Sequence, residues 1–238
     1  MSKINNIENQ NFVCIIPARG GSKSIPEKNI MNFCGKPLIV WSIEQALKSK
    51  YIKDVYISTD EKKIAAISEK YGAKIIWRPA EIATDFASSE SALLHAICEI
   101  EKKQSVNSVV FLQATSPLRT SNDINDAIEK FISEKADSLF SSAILEDFCI
   151  WEITERIKKS ITYDYKRRGR RQDKKPYYLE NGSIYIFKSS ILKKENNRLG
   201  GKIINFVMPF WKSYQIDIYE DLEICEYYMK NKILNEHL

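Results

Sequence analysis

Residues Phe12 to Ile16 are a five-residue apolar run that stops at Pro17 and passes directly into Ala18-Arg19-Gly20-Gly21-Ser22-Lys23-Ser24-Ile25-Pro26-Glu27-Lys28-Asn29. A run this short, rich in β-branched and aromatic residues and closed by proline and paired glycines, predicts a buried strand ending in a loop. Arg19, Lys23 and Lys28 put three cations within ten residues of that loop. Adjacent glycines free its backbone to take positive φ and turn N–H groups toward a ligand. Such a loop suits a polyphosphate. Its spacing matches neither Gly-x4-Gly-Lys-Ser/Thr nor Gly-x-Gly-x-x-Gly, so it is neither of the two common phosphate turns.

The rest of the chain alternates strand and helix patterns. A helix runs from Gly35-Lys36-Pro37 to about Lys50, a strand over Asp54 to Asp60, a helix over Lys62 to Tyr71 closed by Gly72, and a strand over Ala73 to Trp77. Ser89 to Lys103 reads as helix, Val109 to Leu112 as strand, Ser121 to Glu134 as helix with Ser121 or Asn122 as its cap, and Asp137 to Ala143 as strand. This implies right-handed βαβ units, hence an α/β fold with a mostly parallel sheet flanked by helices, whose ligands bind beyond the carboxyl ends of the strands.

The alternation breaks at about residues 146 to 179. Trp151 to Ile157 and Ser160 to Tyr165 read as a hairpin, followed by a basic loop from Lys166 to Pro176. At 238 residues the expectation is one domain over 1–238 with this insertion as an extension, whose aromatics Phe148, Trp151, Tyr163 and Tyr165 suit a subunit interface. Strands over Gly182 to Phe187, Lys202 to Met208 and Tyr214 to Ile218 follow, then a helix from about Tyr219 to Leu234.

A net charge of +5 is spread along the chain, and the basic run from Lys166 to Lys175 lies in no recognisable nucleic-acid module, so no nucleic-acid partner is expected. No segment approaches the ~18 apolar residues of a membrane span, and the polar first ten residues lack a signal-peptide core; the expectation is a cytoplasmic protein with no membrane partner. The five cysteines have no Cys-x-x-Cys spacing and read as reduced core residues. His95, within a helical pattern, reads as a packed or surface residue.

Four further segments could carry chemistry. Gln113-Ala114-Thr115-Ser116-Pro117-Leu118-Arg119 follows a buried strand and serves either a polar substrate or helix capping. Arg171-Gln172 and Glu180-Asn181-Gly182-Ser183-Ile184-Tyr185 could clamp a carboxylate. Asp217 leaves a strand pattern at the rim of the phosphate loop and is a candidate Mg²⁺ ligand, while Glu220 and Asp221 complement a helix N-terminus. Arg78 to Ser89, rich in small and polar residues, could wrap a nucleobase.

In this order the segments resemble the acylneuraminate cytidylyltransferase family, whose signature is carried by Ile16 to Lys23, Lys28-Asn29, Ser58-Thr59-Asp60, Arg78 to Ser89, Gln113 to Arg119, Arg171-Gln172, Glu180 to Ser183 and Asp217. The resemblance implies a Rossmann-like nucleotidyltransferase fold and a homodimeric enzyme that joins CTP and a nine-carbon sugar acid with Mg²⁺. By it, Arg19, Gly20, Gly21, Ser22, Lys23, Lys28 and Asn29 hold the triphosphate, and Arg78, Ala87 and Ser89 the cytosine. Gln113, Ser116, Arg119, Arg171, Gln172, Asn181 and Tyr185 face the sugar acid. Arg19, Lys28 and Asp217 act in catalysis, with Asp217 on the metal. Two places depart from the pattern: Gln215 replaces a frequent second carboxylate two residues before Asp217, and Ser24 and Glu27 stand where glycine is frequent, which predicts a stiffer loop.

Overall fold

A computed structural model describes residues 12–84, 87–145, 148–170 and 175–235. Its central sheet is built from β1 (Phe12–Pro17), β4 (Ile52–Thr59), β5 (Lys74–Trp77), β6 (Ser108–Leu112), β7 (Ser138–Ile144), β10 (Tyr178–Lys188) and β11 (Ile203–Val207), in the order β11-β7-β10-β6-β1-β4-β5. Only β10 runs antiparallel to its neighbours among these described strands.

The pleat of β1 sorts its residues between two cores. Phe12, Cys14 and Ile16 pack with Ile39, Val40 and Ile43 of α1 (Leu38–Leu47) and with Ile124, Ala127 and Phe131 of α4 (Ser121–Ser133). Val13 and Ile15 face the other side, against Leu93, Ala96 and Ile97 of α3 (Ser89–Glu101) and Leu192 of α5 (Ser189–Glu195). A strand lined by apolar residues on both faces is what a period-2 side-chain alternation produces between two helix layers. From β1 the chain moves outward through β4 and β5 (with α2, Lys62–Lys70, between them) and returns to β6 on β1's other side. The crevice between the β1 and β6 carboxyl ends is therefore a topological switch point, where open α/β sheets bind ligands.

A third cluster supports that crevice. Ile25, Phe33, Leu38, Trp41 and Leu118 pack with Ile216, Cys225 and Met229, so α6 (Tyr219–Tyr228) closes over the far side of the basic loop. The intervening ribbon, β2 (Asn32–Phe33) with β3 (Lys36–Pro37), places Phe33 beneath Trp41, whose indole N–H donates to the Phe33 carbonyl at 2.8 Å.

Several expectations are corrected. Residues 214–218 form no strand among the described residues. The chain there leaves a 3-10 turn at Phe210–Ser213 and crosses the loop after β6, joined to it by one backbone bond, Ile216 N to Thr115 O at 2.8 Å. The last helix ends as α at Tyr228 and continues as a π turn over Met229–Leu234. Thr120, not Ser121 or Asn122, caps α4, because its hydroxyl and the Asp123 carboxylate exchange bonds with each other's backbone N–H. The hairpin in the insertion is β8 (Trp151–Ile153) with β9 (Lys158–Ser160), so its second strand falls earlier than residues 160–165. Cys14 and Cys225 are buried and burial pushes both thiols up to about 12, but Cys98 is exposed and Cys149 only partly covered.

Candidate active site

Beyond β1 and β6 lies a cleft of about 380 Å³ lined by Pro17, Arg19, Ser22, Lys23, Ser24, Lys28, Asn29, Thr115 and Asp217. Its floor is the basic loop. Asn29 Nδ2 donates to the Arg19 carbonyl at 3.0 Å and Ser22 N to the Gly20 carbonyl at 3.0 Å, closing the loop on itself. Ile25 drops into the third core at 2% exposure and anchors the loop's middle.

The glycines work differently from expectation. Neither Gly20 nor Gly21 has positive φ; the left-handed residue of this loop is Glu27, at φ 52. Gly20 is needed for space, since a β-carbon there would meet Glu61 Cβ at 2.9 Å, whereas Gly21 faces open space. The Gly20 N–H is taken by Asp60 Oδ1 at 3.0 Å. Asp60 thus holds the loop's entry and faces Arg78, whose charge it favours, while burial and the nearby Arg19 cation lower the Arg78 pKa. Arg78 Nη2 donates to the Ser58 carbonyl at 2.8 Å and Nε to Ser58 Oγ at 3.2 Å. These bonds fix a half-buried guanidinium at the carboxyl end of β4.

Lys28 opens a 3-10 turn, Lys28–Ile30, and is 9% exposed. Its Nζ donates to Asp217 Oδ1 at 2.8 Å, across 189 residues of chain. The Asp217 side chain remains 66% exposed. Asp221 Oδ2 accepts the Asp217 and Ile218 N–H groups at 2.9 and 3.0 Å, pinning the backbone that presents this carboxylate. Arg19, Lys23, Lys28, Asn29, Ser22 and Asp217 are therefore brought together as the sequence implies.

The base and sugar segments divide. Ala87 and Ser89 sit at the start of α3, capped by Ser88, whose Oγ accepts the Ser91 N–H at 3.1 Å; residues 85 and 86 lie outside the described residues. The Gln113 side chain lies beside Gly182, whose φ of +66 leaves a site where a β-carbon would stand 2.8 Å from Gln113 Oε1. Ser116, Arg119 and Asn181, expected at the sugar acid, are at most 2% exposed and are corrected to internal supports. Arg119 donates through Nη1 to the Ser116 carbonyl and through Nη2 to Ser42 Oγ and the Gln113 carbonyl, both at 2.6 Å. Asn181 Oδ1 accepts from Ser141 Oγ at 2.5 Å and Ser183 N at 3.2 Å. Tyr185 is 5% exposed and donates to Glu180 Oε1 at 2.5 Å; burial and that carboxylate raise its pKa. Arg171 and Gln172 lie outside the described residues.

Sequence reasoning assigned no role to Asp60, although Ser58-Thr59-Asp60 was legible as a polar strand end. It also missed Arg198, whose guanidinium lies 4.7 Å from the Tyr185 ring centroid and 4.9 Å from that of Phe111, and pairs with Glu90 at 2.7 Å. That arginine sits in an irregular loop with no pattern to mark it.

A mostly parallel sheet with a cationic loop after its first strand, an acid presented across it and a cleft at the switch point has the build of an α/β protein that binds an anionic ligand there. A cytidylyltransferase family model matches residues 13–234, and the chain belongs to that family. A pseudaminic acid cytidylyltransferase of Campylobacter jejuni is 35% identical over 219 residues, covering 90% of this chain and 94% of that protein. An N-acylneuraminate cytidylyltransferase of Streptococcus agalactiae is 32% identical over 214 residues, 88% of this chain, which spans about half (51%) of that relative. In fold, a CMP:2-keto-3-deoxy-manno-octonic acid synthetase complexed with CTP superposes with a TM-score of 0.71 at 18% identity, covering 94% of this chain and 100% of that one. No helix among the described residues is long and apolar enough to cross a membrane.

Proposed function

We propose that this cytidylyltransferase joins CTP and a nonulosonic acid into the CMP-sugar with release of pyrophosphate. The observation that carries the reading is the Lys28–Asp217 pair at the head of the cationic cleft. The sugar's anomeric hydroxyl attacks the α-phosphorus in line with departing pyrophosphate, so positioning and charge neutralisation dominate. Arg19, Lys23 and Lys28 offset charge building on the leaving pyrophosphate. Arg78 with Ala87 and Ser89 holds the cytosine; Gln113, with Arg171 and Gln172, holds the sugar acid.

The donor set fits Mg²⁺ arriving on the nucleotide. No group of three or more His, Cys, Asp or Glu side chains among the described residues could hold an ion alone, but Mg²⁺ commonly takes one carboxylate together with phosphate oxygens and water. Asp217 is that carboxylate; a bound Mg²⁺ would supply polarisation of the phosphate. Exposed Phe148, Ile150, Trp151, Ile153 and Ile161 on and around the β8–β9 hairpin support a homodimer, since apolar faces of this kind mark interfaces.

The sugar reading has two forms. The 35% identity with the Campylobacter relative favours pseudaminic acid, while the wider resemblance favours N-acetylneuraminic acid. Pyrophosphate release with CTP and a panel of pseudaminic, legionaminic, N-acetylneuraminic and Kdo acids tests this. Release with one nonulosonic acid is expected, from a species that sediments as a dimer; release with none of the first three rejects the proposal, and a monomeric active species rejects the dimer. In the same assay Lys28→Ala lowers kcat/KM for CTP by about 10², as expected for a preorganised charge meeting the transition state. Turnover near that of the unmodified protein would remove Lys28 from the chemistry.

A further inference from the structure

Residues 214 to 218 cross the loop after β6, with Ile216 fully buried in the third core and the chain bending at Asp217 and Ile218. Gln215 and Asp217, two residues apart, meet different groups: Asp217 meets Lys28 at the cation end, whereas Gln215 Nε2 donates to the Asn181 carbonyl at 2.8 Å. That carbonyl begins the turn at Gly182, where a β-carbon would collide with Gln215 Nε2 and stand 2.8 Å from Gln113 Oε1. The amides of Gln113 and Gln215 thus flank one glycine.

We propose that Gln215 is a positioning residue of the sugar-acid wall, tying the Asn181–Gly182 turn of β10, beside Gln113, to the segment that presents Asp217, and that it contributes no ligand to the divalent cation. This rests on the reading of the cleft given above. The chemistry favours an amide here. Its N–H donates to a backbone carbonyl, which a carboxylate at the same place could only repel, and it places no second negative charge beside an anionic sugar acid. The turn needs the tie because β10 loses register with β7 between Glu180 and Tyr185, leaving the Asn181 carbonyl outside the regular ladder. A buried or half-buried carbonyl without a donor is costly, so the Gln215 amide replaces a sheet bond. Asp217 is left as the acid of the metal position, consistent with a metal carried largely by phosphate oxygens.

The test uses the whole chain, CTP, the sugar acid that supports release, and Gln215→Leu and Gln215→Met. Both variants remove the donor while keeping comparable bulk. Loss of one hydrogen bond predicts a rise of about 3- to 10-fold in KM for the sugar acid, with KM for CTP within about twofold of the parent. Mn²⁺ binding in the presence of CTP, followed by electron paramagnetic resonance without turnover, is expected to show one Mn²⁺ per chain and an affinity within about twofold of the parent in Gln215→Leu. A tenfold loss of Mn²⁺ affinity, or equal rises in both KM values, overturns the proposal. Should Gln215→Leu fail to fold, the same readouts on Gln215→Met decide it. Unmodified protein that releases no pyrophosphate with any sugar acid sinks the parent reading instead; a working parent whose variants keep the sugar-acid KM sinks this inference alone.

Discussion

Asp217→Asn lowers kcat/KM by about 10³ or more and leaves the melting temperature within a few degrees of the parent. The two halves of that expectation follow from different properties of one side chain. For stability, the Lys28–Asp217 pair is half in water, with the aspartate 66% exposed, and ion pairs so screened contribute about 0–1 kcal/mol. An asparagine keeps an oxygen able to accept from Lys28 Nζ, and the Asp221 bonds that hold the backbone at 217 and 218 do not involve the substituted group. With a Tm shift of about 2–4 °C per kcal/mol for a chain of this size, little is lost. For catalysis the charge itself is what matters. An amide oxygen is a poor partner for Mg²⁺, and removing a group aimed at developing charge in a preorganised site commonly costs 10²–10³, with the metal's Lewis acidity adding several kcal/mol more. Pyrophosphate release measured across a Mg²⁺ titration reads both effects. An unchanged rate with an unchanged Mg²⁺ midpoint would remove Asp217 from the site.

Much of this architecture was legible because its strongest signals are local. The run Phe12–Ile16 is apolar at every position because both faces of β1 are covered, and β6 at Ser108–Leu112 is wholly buried for the same reason. The alternation Tyr214, Ile216, Ile218 carries the same period-2 signal, yet only Ile216 is fully buried and the segment docks on a loop, not on a strand. Periodicity reports which side chains turn inward, and says nothing of what they turn toward. The cations of the basic loop are legible in the sequence, but the contacts that shape the loop are not. Gly20 is explained by the approach of Glu61, from the start of α2, and Asp60 reaches back to take the Gly20 N–H. Both relations cross some forty residues of chain. The same limit hid Arg198, whose partners Glu90, Phe111 and Tyr185 come from three separate elements.

Arg119 marks the sharpest divergence, and its substitution carries the largest expected loss of stability. An arginine at the end of Gln113-Ala114-Thr115-Ser116-Pro117-Leu118-Arg119, just past a buried strand, reads as a substrate clamp. Instead it is 1% exposed and turned back on its own loop. The rigid fork of a guanidinium suits this place: one nitrogen reaches the Ser116 carbonyl, the other reaches the Gln113 carbonyl and Ser42 on α1, and together they fold the loop onto the sheet. Burial lowers its pKa to about 10, with Cys14 and Asp123 acting in the opposite sense, so the group remains charged at neutral pH. Arg119→Ala would leave two buried carbonyls without these donors, at about 1–3 kcal/mol each, and a cavity besides. A loss of about 3 kcal/mol or more follows, or roughly 6–12 °C in Tm at 2–4 °C per kcal/mol. Arg119→Lys recovers only part of this, because one ammonium cannot span positions set for a planar fork. Thermal unfolding separates this role from that of a substrate contact. A supporting arginine lowers Tm and raises KM for CTP and the sugar acid together, as the loop that bears Thr115 and Gln113 loosens. An unchanged Tm with a selective rise in KM for the sugar acid would return Arg119 to the cleft.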